Sequence, residues 1–225
     1  MKYYLNVVLF LLCISLLSSC ATATKSTFQY KEPDVSNSIQ NKVVVNISYD
    51  ECWKRLVSGL SSEFFVITNI EKASGLITLD FSTQTPELYV DCGESKRTYG
   101  DEDFSYKVAA DASYPMDVKS GIQVAKATVV RDAFLSGKIN ILVSEVSNGV
   151  QVTVNARYIF NVNVGGTYRL VGTGIGDLQH DLASNTYTKT FNTNSIDRSN
   201  GPDDFTCRPT GELEATILNI ISNSK

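Results

Sequence analysis

Histidine is almost missing from this chain of 225 residues, which holds a single one. That excludes a His-rich metal site and any mechanism that needs two imidazoles. A basic excess is missing too: 20 Lys and Arg stand against 24 Asp and Glu, a formal net charge of −4. A general nucleic-acid binder needs the opposite sign to displace phosphate counterions, so no nucleic-acid partner is expected. Five Pro and 14 Gly are too few for a collagen-like or low-complexity chain. After Leu17 there is no run of about 18 consecutive apolar residues, so no later segment is expected to span a membrane as a helix. What is present is ordinary globular composition, 43% hydrophobic and 20% charged, at a length for one domain or at most two.

The one strongly apolar stretch is at the start. Met1 and Lys2 precede Leu5 to Leu17, which reads LNVVLFLLCISLL. This run is shorter than the about 20 residues a spanning helix needs, but it suits the apolar core of a signal peptide. It ends in Leu17-Ser18-Ser19-Cys20. That tetrad resembles the bacterial lipobox: an aliphatic residue, two small residues and an obligatory Cys. The resemblance implies cleavage between Ser19 and Cys20, a diacylglycerol on the Cys20 sulfur and a further acyl chain on its freed amine. Several acyl chains exceed what stable anchoring requires. The alternative is ordinary secretory cleavage near Ala21 or Ala23. Ala21 rather than Asp after the Cys implies, by the same resemblance, the outer membrane facing the periplasm. Losing residues 1–19 removes Lys2 and no acid. The mature surface is then more acidic still and is repelled by anionic lipid, so the acyl chains must hold it there.

Residues 20–41 are polar and contain Pro33, and they are expected to be a lipidated flexible tether with Phe28 and Tyr30 exposed. The folded domain is expected over 42–225. Val43 to Val45 predicts a short strand. Ser48-Tyr49-Asp50-Glu51 has capping-box spacing, and Trp53, Leu56, Val57, Leu60 and Phe64 predict an amphipathic helix over 49–63. Strands are predicted over 64–70 and 75–81, and 83–120 is expected to be an ordered loop or irregular hairpin. Residues 121–134 read ambiguously, with Val129-Val130 favouring strand. Two clear strands follow over 138–147 and 149–164, joined at Asn148-Gly149, and another over 185–192. Leu213, Ile217, Ile220 and Ile221 predict a closing helix. The expected fold is α+β: a single domain whose antiparallel sheet carries an N-terminal-side helix and a C-terminal helix on one face.

The segment SYDECWKRLVSGLSSEFFVITNIEKASGLITLDF, with a strand before it and a return sheet and terminal helix after it, resembles the helix-grip domains of BamC. The features that carry this are Trp53 at the helix start, Phe64-Phe65 and Gly75 before the next strand, within residues 43–82. BamC-type lipoproteins are accessories of the outer-membrane β-barrel assembly machine. They carry two such domains after a long N-terminal segment, whereas this chain has room for one after a short tether. The resemblance implies a helix-grip fold and an accessory role in the envelope.

Cys13 leaves with the signal and Cys20 is the lipid site, so Cys52, Cys92 and Cys207 remain in an oxidising compartment. Cys52 suits burial in the helix. Cys92 beside Gly93, and Cys207 just before the last helix, are expected to pair and staple the middle of the chain to its end. Three cysteines do not complete a four-ligand zinc site without His180, so no metal and no cofactor are expected. No catalytic residue is assigned. Asp177 to Asp181 places His180 among carboxylates, but neither Ser184 nor Ser195 stands in a nucleophile elbow, and His180 is read as a solvent-facing loop residue. Gly172-Thr173-Gly174-Ile175-Gly176 lacks the G-K-[ST] ending of a phosphate loop. Asp91, Glu94, Asp101, Glu102 and Asp103 do not follow the calcium-loop pattern and are read as a solvated charge run.

The expected function is therefore that of a noncatalytic, membrane-anchored periplasmic lipoprotein, an accessory or scaffold of an envelope complex with a protein partner. The alternatives are an envelope hydrolase using paired carboxylates on peptidoglycan or glycans, and an inhibitor or immunity lipoprotein. Cys20→Ala is expected to abolish incorporation of labelled fatty acid and to move the protein out of the membrane fraction. Retained labelling would refute the assignment of Cys20.

Overall fold

Buried and more exposed residues alternate along most of the chain from Ala125 to Val162, and this pattern builds the two longest strands of the protein. The structure is a computed structural model and describes residues 25–34, 36, 38–121, 123–170, 178–198 and 205–222. In chain order the strands and helices begin with β1 (Ser26–Lys31), β2 (Lys42–Val45), α1 (Tyr49–Leu60), β3 (Val66–Glu71) and β4 (Leu76–Thr83). A 3-10 turn at Pro86–Leu88 leads to β5 (Val90–Asp91), β6 (Glu94–Tyr99), β7 (Glu102–Lys107) and β8 (Ala112–Ser120). Then come β9 (Gln123–Val146), β10 (Gly149–Leu170), β11 (Leu178–Asp181), β12 (Asn185–Asn192), β13 (Arg208–Pro209) and α2 (Glu212–Ser222).

β9 and β10 pair antiparallel from Val146 opposite Gly149 to Ala127 opposite Tyr168. The turn is Ser147-Asn148, and Gly149 adopts a φ of +135° where a Cβ would lie 2.2 Å from the Val45 carbonyl oxygen. Other strands cover the two outer edges of this hairpin in sections. β4 and β8 share the free edge of β9, with β3 beyond β4, while β2, β12 and β11 follow one another along β10. One face is buried throughout: Ile139, Ile141 and Val143 of β9 with Val150, Val152, Val154, Tyr158 and Phe160 of β10. The other face is a polar lattice in which Thr78, Thr186 and Thr188 donate to Asn140, Asn163 and Asn161.

Both helices pack on the buried face, so the antiparallel α+β arrangement expected from the sequence is present. In α1 the Ser48 hydroxyl accepts from the Glu51 amide at 3.3 Å, the forward half of a capping box. Glu51 turns instead to Arg55, whose Nε donates to it at 2.7 Å. The helix stops at Leu60 rather than 63, because the Ser61 and Ser62 hydroxyls take the carbonyls of Val57 and Gly59. α1 lies against α2 at Gly59, where a Cβ would meet Ile220 Cγ2 at 2.2 Å. A side chain at position 59 would force Ile220 to move.

Two expectations are corrected, and the lean toward strand over 121–134 is borne out from residue 123 on. Residues 83–120, expected as a loop or irregular hairpin, form the 3-10 turn and four strands. Their polarity misled because β6 and β7 turn Lys96, Thr98 and Asp103 to solvent on one face. Residues 123–134 are the first half of β9, held by nine register pairs with β8. Finally, the expected flexible tether contains β1, which pairs with β6 along its whole length. Further along, the Arg208 guanidinium donates to the Asp34 carbonyl, and the Asn41 amide donates to Val154 O at 3.0 Å.

In the core, the Tyr158 hydroxyl donates to Glu214 Oε1 of α2 at 2.8 Å, with both residues fully buried. Burial, and then the adjacent Glu214 carboxyl, push the Tyr158 phenol far above its ordinary value. A raised folded-state pKa keeps its stabilisation complete below the unfolded value near 10 and loses it as pH climbs above that. Tyr158→Phe leaves a buried carboxyl without its donor and should cost about 1–3 kcal/mol at pH 7. The gap from wild type should narrow above pH about 10, because the Phe variant lacks that alkaline loss. Urea midpoints at both pH values check this.

Candidate functional site

Strands β1, β6 and β7 form a separate three-stranded sheet whose register aligns Phe28 with Arg97 and Phe104, and Tyr30 with Ser95 and Tyr106. Alternation puts these residues on one face. That face looks across at the far half of β8, β9 and β10, and between the two lies a cleft of about 770 Å³. From the large sheet come Tyr114, Met116 and Val118 of β8, Val129 and Arg131 of β9, and Val164 of β10.

Two guanidiniums sit among aromatic rings at the centre. Arg97 Cζ lies 4.4 Å from the Phe28 ring centroid and 4.3 Å from that of Tyr114. Arg131 Cζ lies 5.3 Å from Tyr106, and the Tyr106 and Tyr114 rings stack at 5.5 Å. Arg97 Nε donates to the Tyr106 hydroxyl at 3.3 Å, and Arg131 Nη2 donates to the Val108 carbonyl at 3.1 Å. Burial alone would raise the Tyr106 phenol. The neighbouring Ser95 and Arg97 groups and the charges of Arg97 and Arg131 outweigh it and bring the phenol below its ordinary value. Tyr114 goes the other way, pushed up by burial and then by Tyr106. The two stacked phenols thus shift in opposite directions, Tyr106 toward its charged form and Tyr114 away from it.

The polar inventory is incomplete. Arg131 Nε and Ser95 Oγ are buried without a hydrogen-bond partner. Ser95 stands close to the Tyr106 phenol but outside hydrogen-bonding geometry. Among the described residues no carboxylate pairs with Arg97 or Arg131.

The rim is braced by the expected cysteine pair. Cys92 and Cys207 lie at disulfide distance, Cα to Cα 4.1 Å, beside the short β5–β13 ladder. The Tyr30 hydroxyl accepts from the Thr206 amide at 2.9 Å and donates to the Cys92 carbonyl at 3.1 Å. Burial raises this phenol above its usual range. Tyr30, expected to be exposed, therefore fastens β1 to the cysteine pair. Cys52 is free and fully buried in α1, and burial pushes its thiol up.

Other residues singled out in the sequence do not converge. His180, expected in a solvent-facing loop, is on β11, stacked on Tyr168 at 5.2 Å with its Nε2 buried. The Ser195 hydroxyl accepts from the Asn192 amide in a turn. The acidic run is dispersed: Asp91 accepts from the Gly93 amide and Asp103 pairs with Lys96. Among the described residues no group of three His, Cys, Asp or Glu is placed to share a metal ion, and no helix is long and apolar enough to cross a membrane. Ser19 and Cys20, with the signal segment, and Gly172 to Gly176 lie outside the described residues.

Replacing both Cys92 and Cys207 with Ala should cost about 2–5 kcal/mol if they are joined. The loss is read from urea midpoints with and without reductant. An unchanged midpoint, or a second reactive thiol besides Cys52 in the denatured non-reduced mature chain, would argue against the bond. Comparison with protein-family models, with curated proteins and with solved structures finds no match.

Proposed function

We propose that this chain is a noncatalytic lipoprotein, anchored through Cys20 to the periplasmic face of the outer membrane. It serves as an accessory of an envelope complex, and the cleft between its two sheets is its working surface. The observation that carries the reading is the chemistry of the cleft. Fixed cations, phenols and unpaired donors held on strands are suited to recognition, since strands hold a constellation more rigidly than loops do. The lipobox-like Leu17-Ser18-Ser19-Cys20 supports the anchor. The run of β2, α1, β3 and β4, with α2 closing the chain after the remaining strands, supports kinship with helix-grip domains of the BamC type.

In-cell crosslinking of the tagged, lipidated protein tests this. A stoichiometric envelope partner is expected with wild type and should be lost with Cys20→Ala. Recovery of barrel-assembly components would extend the BamC resemblance from fold to role. No partner above the Cys20→Ala background would overturn the reading in favour of a hydrolase or a conditional inhibitor.

A further inference from the structure

We infer that the cleft binds an amphipathic anion, a single carboxylate or phosphate head carried on an apolar body. The inference rests on the reading of the cleft as the working surface, and it names the ligand class.

Charge comes first. Arg97, Lys119 and Arg131 line the cleft against one acid, Asp117, and that acid already accepts from the Tyr99 hydroxyl at 2.7 Å. A guanidinium taken out of water needs an opposite charge or a full set of acceptors. Arg131 is 8% exposed and has neither: one nitrogen reaches a backbone carbonyl, and Nε reaches nothing. Ser95 is 2% exposed with its hydroxyl equally unsatisfied. Both atoms can donate, and both residues line the same cleft, their unsatisfied atoms lying just beneath its surface. An oxyanion seated between them would satisfy Nε and Oγ together through charge-assisted hydrogen bonds.

The body of the ligand follows from the remaining walls. Val118, Val129, Val164 and Phe205 are apolar, and the volume is within the about 300–1,000 Å³ usual for small-molecule sites. Supply follows from the chain itself. Phe28, on the wall of the cleft, is eight residues from Cys20, at most about 28 Å of extended chain. With a lipid on Cys20 the cleft is held at the membrane surface, where amphipathic anions are found.

The test uses the lipidated full chain in nanodiscs, with hydrogen exchange of the β6 and β8 amides as a readout local to the cleft. Hexanoate, hexyl phosphate, hexanol and hexylammonium are titrated separately. One or both anions should protect these amides saturably, with hexanol at least about tenfold weaker, the loss expected for a charged hydrogen bond. Preference for hexanoate would point to free acids, and preference for hexyl phosphate to phospholipid-derived heads. Ser95→Ala should leave the urea midpoint unchanged or raised, because the hydroxyl has no bond to lose, yet weaken anion binding several-fold. Equal protection by hexanol, no saturation by either anion, or full affinity in Ser95→Ala would overturn the inference. A crosslinked partner retained when neither anion binds would end this inference and leave the accessory reading standing.

Discussion

Pairing of β9 with β10 is the constraint on which the other elements depend. The strands have 24 and 22 residues, and at about 3.3 Å per residue each extends some 70–80 Å. Most strands have about 5–6 residues. So long a hairpin presents two long edges of backbone donors and acceptors that need partners. The protein meets this with short strands laid end to end, β4 and β8 on one side and β2, β12 and β11 on the other. The buried face also changes occupant midway. Where it carries Ile139, Ile141, Val152 and Val154, the two helices cover it. Where it carries Ala125, Ala127, Val129 and Arg131, β8 wraps its edge and the small sheet stands opposite. Smaller side chains fill less of the space between the sheets, and the cleft lies in that half.

Much of this was legible wherever one face is buried and the other solvated. Residues 149–164, 185–192 and the two helices carry strong periodicity, and they form the elements it predicts. The pattern failed where alanine stood in for larger apolar residues, as at Ala125, Ala127 and Ala133, and ambiguity between helix and strand followed. It failed again where a strand belongs to a small sheet with one solvated face. There Glu94 to Tyr99 reads as a charge run although Ser95 and Arg97 point inward. A signal for the cleft was nevertheless present: Arg131 falls at a core position of the period-two pattern that runs through Ala125, Ala127, Val129, Ala133 and Leu135. An arginine in register with a buried stripe must find a partner and a hydrophobic side chain need not, an asymmetry carried by the residue pattern itself. Its companions Ser95, Arg97 and Tyr106 were not readable, because the pairing of β6 and β7 joins them only in space.

Net charge and local potential point in opposite directions. The chain carries an acidic excess, and by that measure would repel anions. Screening restricts such an average to about a Debye length in water. Within the cleft Arg97, Lys119 and Arg131 stand against Asp117, and the buried Arg131 is shielded from bulk solvent, so its interactions are stronger. Ser95, Arg97 and the two arginine charges bring the Tyr106 phenol below its ordinary value despite burial, while burial and Tyr106 itself push Tyr114 up. Net acidity of the whole chain therefore does not by itself exclude an anion from a cleft whose lining holds three cations and one acid.

The route from the chain's beginning to the cleft gives this arrangement its mechanical sense. A free coil between a lipid on Cys20 and the domain would leave the orientation of the cleft random. Instead β1 is zipped to β6 over six residue pairs, and the Tyr30 hydroxyl is locked between the backbones of Cys92 and Thr206. Cys92 and Cys207 in turn join the segment before β6 to the segment before α2. From β1 the contacts thus run through the small sheet and the cysteine pair toward α2, along elements that form or brace the cleft wall. A membrane anchor on Cys20 would orient the cleft as well as localise it, because the first strand beyond the anchor is already part of its wall.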